Sequence, residues 1–149
     1  MKNKNTKGFT LIELTIVIAL IALLSAFTVT AINPSKSLAD SRNAQRSSNV
    51  SEILNALTQY TSDQNQLATD FGVIPLCSAT PAHIGSANGN INLSVPKLVD
   101  KYIVNVPTDP NNGSAADTGY TICQTSIASG RITIAAPKAE NGYVVSLTR

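Results

Sequence analysis

The feature that most constrains this chain is an apolar segment near its N-terminus, residues 9–32, with the sequence FTLIELTIVIALIALLSAFTVTAI. Glu13 is the only charged residue in it, and residues 14–35 carry no charge. A helix over that uncharged stretch is ~33 Å long at ~1.5 Å per residue, enough to cross a hydrocarbon core of ~30 Å. The segment is apolar on all sides, so lipid or other helices must surround it.

Charge is distributed unevenly around this segment. The 149 residues include 11 basic and 9 acidic side chains, for a formal net charge of +2. Three of the lysines, Lys2, Lys4 and Lys7, precede the apolar run, which leaves eight basic against nine acidic residues elsewhere. Basic residues before a membrane span stay in the cytoplasm, so the rest of the chain is predicted to be exported. The length excludes a large multidomain enzyme, and the low charge argues against a protein that binds nucleic acid through bulk charge, without excluding nucleic acid as a partner.

Two interpretations of the apolar segment leave something unexplained. A secretory signal could be cleaved after Val29-Thr30-Ala31 to expose Ile32, but the apolar core is longer than usual and contains a carboxylate. A plain signal anchor fits the length but does not account for Glu13. An ionisable group in a membrane span costs free energy and usually has a partner.

The residues around Glu13 favour a third interpretation. The string KGFTLIEL, residues 7–14, follows a short basic leader and precedes the apolar run. It resembles the class III signal of type IV pilins and pseudopilins. The resemblance implies that a prepilin peptidase removes residues 1–8 by cutting between Gly8 and Phe9, and that it methylates the new amino group of Phe9. Glu13 then occupies the fifth mature position, where the family carries a glutamate.

The resemblance gives Glu13 a physical role in filament assembly. A new ammonium at Phe9 among apolar side chains needs a carboxylate, which Glu13 of the same or an adjacent subunit can supply. Buried polar pairs of this kind are best attested as devices that fix register. We therefore expect residues 9–32 to anchor the chain in the cytoplasmic membrane and then to assemble copies of it into a surface filament. The implied partners are further copies, the prepilin peptidase, the membrane and the assembly machinery.

A second, amphipathic helix is predicted over residues 33–66. Pro34 predicts a kink or break after the apolar run, later in the chain than the proline that many pilins carry at the position of Thr30. Apolar residues then recur at helical spacing. They are Leu38, Val50, Ile53, Leu54, Leu57 and Tyr60. The pattern is lost over residues 63–70, where we expect the helix to end.

An antiparallel sheet is predicted within residues 67–149. Residues 118–125 and 131–135 alternate with period two around residues 126–130 and predict a hairpin. Residues 143–147 predict a third strand after the turn Glu140-Asn141-Gly142. The predicted fold is α+β, with a long N-terminal helix whose second half packs on a small C-terminal sheet, as in pilins. Residues 102–110 resemble the segment that enters this sheet in major pseudopilin-like proteins.

The two cysteines, Cys77 and Cys123, suit an exported body. An oxidising compartment favours a disulfide between them, and the chain-entropy model gives such a bond ~4 kcal/mol for a loop of this length. Two buried free thiols are the alternative.

Patterns for catalysis and metal binding are weak. The sequence has no nucleophile elbow, P-loop, zinc motif or dinucleotide fingerprint. His83 is the only histidine and lies in a Pro/Ala/Gly-rich loop, so we expect it to be a surface residue. Because the motifs are missing as well, we expect no enzymatic activity and no cofactor. Residues 109–117 are rich in oxygen ligands. Because some major pseudopilins bind calcium in the β-region, Asp109, Asn112 and Asp117 are candidate ligands, although a solvated turn explains the same residues.

The predicted function is that of a structural subunit of a type IV pilus-like filament. The alternatives are a pseudopilin of a type II secretion or DNA-uptake system and, from another class, a monomeric membrane-anchored or secreted binding domain. Nucleic-acid binding has little support, because the basic residues beyond residue 70 are few and have no aromatic residues interleaved. They are Lys97, Lys101, Arg131, Lys138 and Arg149.

Overall fold

The structure is a computed structural model, and it describes residues 8–31, 33–64, 71–94, 98–126 and 131–149. It divides into two compact units, Met1–Leu38 and Ala39–Arg149. The elements in chain order are helices α1 (Leu11–Ala31) and α2 (Pro34–Gln64) and strands β1 (Ala82–His83), β2 (Thr121–Gln124), β3 (Ile132–Ala136) and β4 (Val145–Thr148). The predicted α+β class is confirmed. The predictions for Lys2, Lys4, Lys7, Ile32, Asp70, Lys97 and residues 127–130 lie outside the described residues.

Helix α1 is apolar and exposed on all sides. Over Leu11–Thr28 it is long and apolar enough to cross a membrane. Two of its hydroxyl groups are satisfied within the helix, because Ser25 donates to the carbonyl of Ile21 and Thr28 donates to the carbonyl of Leu24. Such internal bonds are what a helix needs where no water is available to its polar groups.

The predicted interruption after the apolar run is present. Helix α1 ends at Ala31, and α2 begins at Pro34. Asn33 caps α2, since its side-chain oxygen accepts a bond from the N–H of Lys36 at 3.2 Å. Its carbonyl accepts from the N–H of Ser37. An Asn cap followed by a proline at the first helical position is a favourable start, because proline lacks an N–H that would otherwise be unpaired there.

The predicted apolar stripe of α2 forms one wall of the core. Five of its six members are buried in one hydrophobic cluster with residues of β2 and β3 such as Ile122 and Ile134. The five are Val50, Ile53, Leu54, Leu57 and Tyr60. The inclusion of Leu38 was wrong. This residue is 59% exposed and lies before the compact unit that holds the core, which begins at Ala39.

The sheet is antiparallel, with the strand order β1-β2-β3-β4 among the described strands. Strands β2, β3 and β4 correspond to the three predicted strands, with shifted ends. The first starts at Thr121 rather than residue 118, because Gly119 has a φ of 82°, outside the β region. The two-residue β1 is too short to show an alternating pattern, and the sequence did not predict it.

The predicted turn before β4 is confirmed. Asn141 and Gly142 both have positive φ, 57° and 73°, and the N–H of Tyr143 donates to the carbonyl of Glu140 at 3.1 Å. Asn-Gly is the pair that tolerates two successive positive φ values best. In β3, residues 132, 134 and 136 are buried in alternation, so the sheet presents one face to the core.

Candidate functional site

The predicted cleavage site lies just before α1. Gly8 and Phe9 are exposed and non-helical, and Phe9 is 93% exposed. A peptidase needs its substrate backbone in an extended, accessible form, and the bond between these two residues has no helical hydrogen bonding to break. Cleavage and methylation at Gly8 and Phe9 remain predictions.

Thr10 and Glu13 form a capping box at the start of α1. Oε2 of Glu13 accepts bonds from the backbone N–H and from the hydroxyl of Thr10, each at 2.8 Å. In return, the N–H of Glu13 donates to Oγ1 of Thr10 at 3.3 Å. The sequence T-x-x-E is the pattern for this arrangement, which satisfies N–H groups that a helix start leaves unpaired. Glu13 therefore has a partner within its own chain, which the sequence interpretation overlooked.

The disulfide between Cys77 and Cys123 is present in the structure. It joins the segment before β1 to strand β2. Backbone bonds lie beside it, since the N–H of Cys77 donates to the carbonyl of Gln124 and the N–H of Gln124 donates to the carbonyl of Pro75. The two residues are 46 positions apart, so the bond closes the long loop that contains β1.

In the oxygen-rich loop of residues 109–117, the carboxylate of Asp109 is engaged by groups of the protein. Asp109 is buried, and its carboxylate receives two bonds from the guanidinium of Arg46, at 2.6 and 3.2 Å. It also accepts from the N–H groups of Asn111 and Asn112. A cation at Asp109 would have to displace Arg46. Among the described residues, no three His, Cys, Asp or Glu side chains lie together in a way that could hold a metal ion. Calcium binding by Asp109, Asn112 and Asp117 stays a prediction.

Arg46 belongs to a larger polar cluster between α2 and the loops. Its Nη1 donates to Glu140 at 3.0 Å, and Arg42 holds the same carboxylate with two bonds of 2.7 Å. Asn43 exchanges two bonds with the backbone of Glu140, both at 2.9 Å. We call Arg42, Asn43, Arg46, Asp109 and Glu140 the arginine cluster. It fixes two loops, around residues 109 and 140, to one turn and a half of α2.

The arginine cluster shifts the titration of its carboxylates. Bonds from Arg42, and then from Arg46, lower the pKa of Glu140 from 4.5 to about 2. Burial acts to raise the pKa of Asp109, but the bonds from Arg46, Asn111 and Asn112 outweigh it and the pKa is lowered. The pKa of Arg46 is raised, chiefly by its bond to Asp109. All these groups are therefore ionised near neutral pH, as a buried ion network requires.

The helical spacing that predicts the buried stripe of α2 also includes Arg46, which the prediction left out because it counted apolar residues only. Arg46 lies four residues before Val50 and seven before Ile53, so it continues the buried stripe of α2. An arginine at such a position must be paired if the helix face is buried. Its partners, however, lie 63 and 94 residues away, which no local pattern reveals.

The remaining candidate residues lie at the surface. His83 is exposed, and its Nδ1 lies 3.3 Å from Oδ1 of Asp117. Asp117 also accepts from the N–H of Gly119, which lowers the pKa of the carboxyl. Two of the basic residues have separate partners. Lys101 lies over the ring of Tyr102, and the guanidinium of Arg149 donates to the side-chain oxygen of Asn55 at 2.6 Å.

Comparison with known proteins gives one match. The family model described as the prokaryotic N-terminal methylation motif matches residues 3–29. No curated protein and no solved structure matches the chain. The matched residues include the exposed Gly8–Phe9 bond, the capping box and most of α1.

Proposed function

We propose that this chain, which carries a type IV pilin-like class III signal, is a structural subunit of a type IV pilus-like filament. The motif supports a type IV pilin- or pseudopilin-type precursor and points to a structural protein. In the proposal, prepilin peptidase cuts between Gly8 and Phe9 and methylates Phe9. The mature chain then polymerises through α1.

The observation that carries the proposal is that α1 is exposed on every side. Its large apolar side chains, from Leu11 to Phe27, are each at least half exposed. Before assembly, membrane lipid can cover this surface, in agreement with membrane anchoring of the precursor. Lipid tails are as apolar as leucine, however, so moving α1 from lipid to a bundle of helices gains little hydrophobic free energy. Packing and polar contacts must then decide how the helices associate.

Glu13 can supply a polar contact between associating helices. Both bonds from Thr10 go to Oε2, so Oε1 is left for a second donor. The ammonium that cleavage creates at Phe9 is a donor of the right charge. An ammonium from a neighbouring subunit would bind Glu13 at one axial offset only, because α1 carries no other charge.

The compact unit Ala39–Arg149 supplies the outer surface of the proposed filament. Its disulfide fits the oxidising side of the membrane, where the positive-inside rule places it. The arginine cluster and the disulfide hold the loops to the helix and the sheet. Such a body suits a subunit that must stay folded while force acts on the polymer.

The test is the N-terminus of the protein recovered from cells that contain the peptidase. Mass spectrometry is expected to find methylated Phe9 as the first residue. Met1 as the first residue would indicate a simple anchor, and Ile32 would indicate a secreted module. Either result would refute the proposal.

The role of Glu13 is tested by Glu13→Gln. Glutamine preserves the capping box but carries no charge, so we expect processing and membrane insertion to continue while filament yield is lost. The control is Thr15→Ala, which removes a hydroxyl bonded only within α1. Normal filaments from Glu13→Gln would show that capping is the whole function of this carboxylate.

A further inference from the structure

We infer that strand β4 is a pairing edge through which two copies of this chain join their sheets in an antiparallel, two-fold arrangement. The inference concerns residues within the compact unit and does not depend on filament assembly. It rests on the backbone geometry of β4, on the apolar groove beside it and on the charges at its two ends.

Within the part of the chain that the structure describes, β4 has no strand paired to one of its two sides. In the order β1-β2-β3-β4, β4 is an edge strand. Ile132 and Arg149 exchange two backbone hydrogen bonds. Along the register of β3 and β4, hydrogen-bonded and non-hydrogen-bonded residue pairs therefore alternate from that pair onwards. The N–H and C=O groups of Ser146 and Thr148 therefore point away from β3, towards the open edge. Edge strands in natural proteins are commonly protected by a lysine, a proline or a bulge. Residues 143–148, YVVSLT, contain no charge and no proline.

The core face of the sheet is left partly uncovered beside this edge. Val145 and Leu147 lie opposite Ala136 and Ile134, so they share the face that packs on α2. Leu147 is nevertheless 40% exposed, and Tyr143 on the same face is also exposed. They line a groove of about 380 Å³ between β4 and α2, whose helical wall has the small side chains Ala44, Ser47 and Ser51. An added strand would place side chains in this groove.

A second β4 fits the edge better in one register than in its neighbours. Centring the pair on Ser146 sets Ser146 against its own copy and residue 144 against residue 148. That gives three outward-facing pairs, each exchanging two hydrogen bonds, for roughly six in all. Shifting the centre by one residue loses one of these pairs. The same register puts Val145 opposite Leu147 of the second copy on the core face, which closes the groove with apolar contacts.

The charges at the ends of β4 agree with this register. In this register, residue 149 of one copy lies opposite residue 143 of the other, and both lie on the face of the sheet that packs on α2. The groove at the Tyr143 end is lined by Asp40, and the strand ends in Arg149, which already bonds to α2 through Asn55. Pairing thus brings an arginine towards an aspartate at both ends and sets no like charges together within residues 143–148. This complementarity is the reason for choosing a second copy as the occupant.

The experiment measures the monomer–dimer equilibrium of the full chain in density-matched detergent by sedimentation equilibrium. Because Ser146 faces its own copy in this register, Ser146→Lys would place two lysines opposite each other, and Ser146→Glu would place two glutamates there. Each is expected to raise the dimer dissociation constant by about fivefold. An equimolar mixture of the two variants is expected to recover at least the wild-type affinity, because lysine then faces glutamate. The matched control Ser94→Lys changes another exposed serine, which lies outside the sheet, and should have no effect.

The inference is overturned by a wild-type chain that stays monomeric at all concentrations, by equal weakening in Ser146→Lys and Ser94→Lys, or by a mixture that does not recover. Association through α1 is the same in every variant and so cannot imitate recovery in the mixture. A failure here leaves the processing at Gly8 and Phe9 untouched, because that is measured separately at the N-terminus.

Discussion

Helices α1 and α2 both carry leucines and isoleucines, but these side chains are exposed in α1 and mostly buried in α2. In α1, the leucines and isoleucines from Leu11 to Leu24 are exposed, and none of them contributes to the core. In α2, large apolar residues are fewer, and those from Val50 to Tyr60 lie on one stripe that is buried in the core with residues of the sheet. The two helices differ in composition and in pattern, and the pattern decides burial, because one partner can cover a stripe but not a helix that is apolar on all sides.

The comparison shows where each helix obtains its stability. That of α2 comes from within the chain, through the core and the arginine cluster. The apolar side chains of α1 from Leu11 to Phe27 are exposed in the described structure, so we expect lipid or other helices to stabilise this helix. A variant in α2 should therefore affect folding, whereas one in α1 should affect membrane insertion or assembly.

The largest expected effect is that of Arg46→Ala. Arg46 and Asp109 are 1% and 0% exposed, so removing the guanidinium leaves a buried carboxylate without its counterion. The loss is expected to be about 3–5 kcal/mol in the free energy of unfolding. It can be measured by urea titration of the full chain in detergent, followed by near-ultraviolet circular dichroism of the buried tyrosines.

Arg42→Ala is the matched control for this prediction. Arg42 is 31% exposed and pairs only with Glu140, which is also partly exposed. We expect it to lose about 0–1 kcal/mol. Equal losses in the two variants would mean that burial does not set the strength of the cluster, and the account of α2 given above would be wrong.

A second prediction compares one substitution in the two helices. Leu57→Ala removes a fully buried side chain and is expected to lower the free energy of unfolding of the compact unit by about 2–4 kcal/mol. Leu20→Ala makes the same change at a half-exposed position of α1 and is expected to change it by less than about 0.5 kcal/mol. The same titration measures both. A destabilisation by Leu20→Ala comparable to that by Leu57→Ala would contradict the division of roles between the helices.

Much of this comparison could be predicted from the sequence, because it depends on local periodicity. The unbroken apolar run identified α1, the spacing of Val50 to Tyr60 identified the buried face of α2, and Asn-Gly identified the turn before β4. The capping box was also within reach, since T-x-x-E is a local pattern. Signals of this kind involve residues within one or two turns of each other.

The arginine cluster and the groove beside β4 could not be predicted in the same way. Arg46 contacts residues from loops 63 and 94 positions further along the chain. Nothing near Asp109 distinguishes a carboxylate that holds an arginine from one that binds calcium. Only the packing of the loops on α2 makes that choice, and packing depends on the whole compact unit.

The smallest expected effect is a loss of stability of the compact unit as the pH is lowered. Folding keeps Glu140 ionised down to a pKa of about 2, whereas its ordinary value is 4.5. Between these values the unfolded chain binds more protons than the folded one, so the free energy of unfolding falls as the pH is lowered through this window. Asp109, whose pKa is also lowered, adds to the same trend. The urea midpoint should therefore decline between about pH 4.5 and 2.

Glu140→Gln tests whether the arginine cluster is the source of that decline. The variant cannot ionise at this position, so its urea midpoint should be lower than that of the wild type at pH 6 and should fall less steeply towards pH 2. Glu52→Gln, at an exposed position of α2, should keep the wild-type slope. If Glu140→Gln retained the full slope, the acid sensitivity would have to arise outside the cluster, and the bonds from Arg42 and Arg46 to Glu140 could not be what stabilises the loop at residue 140.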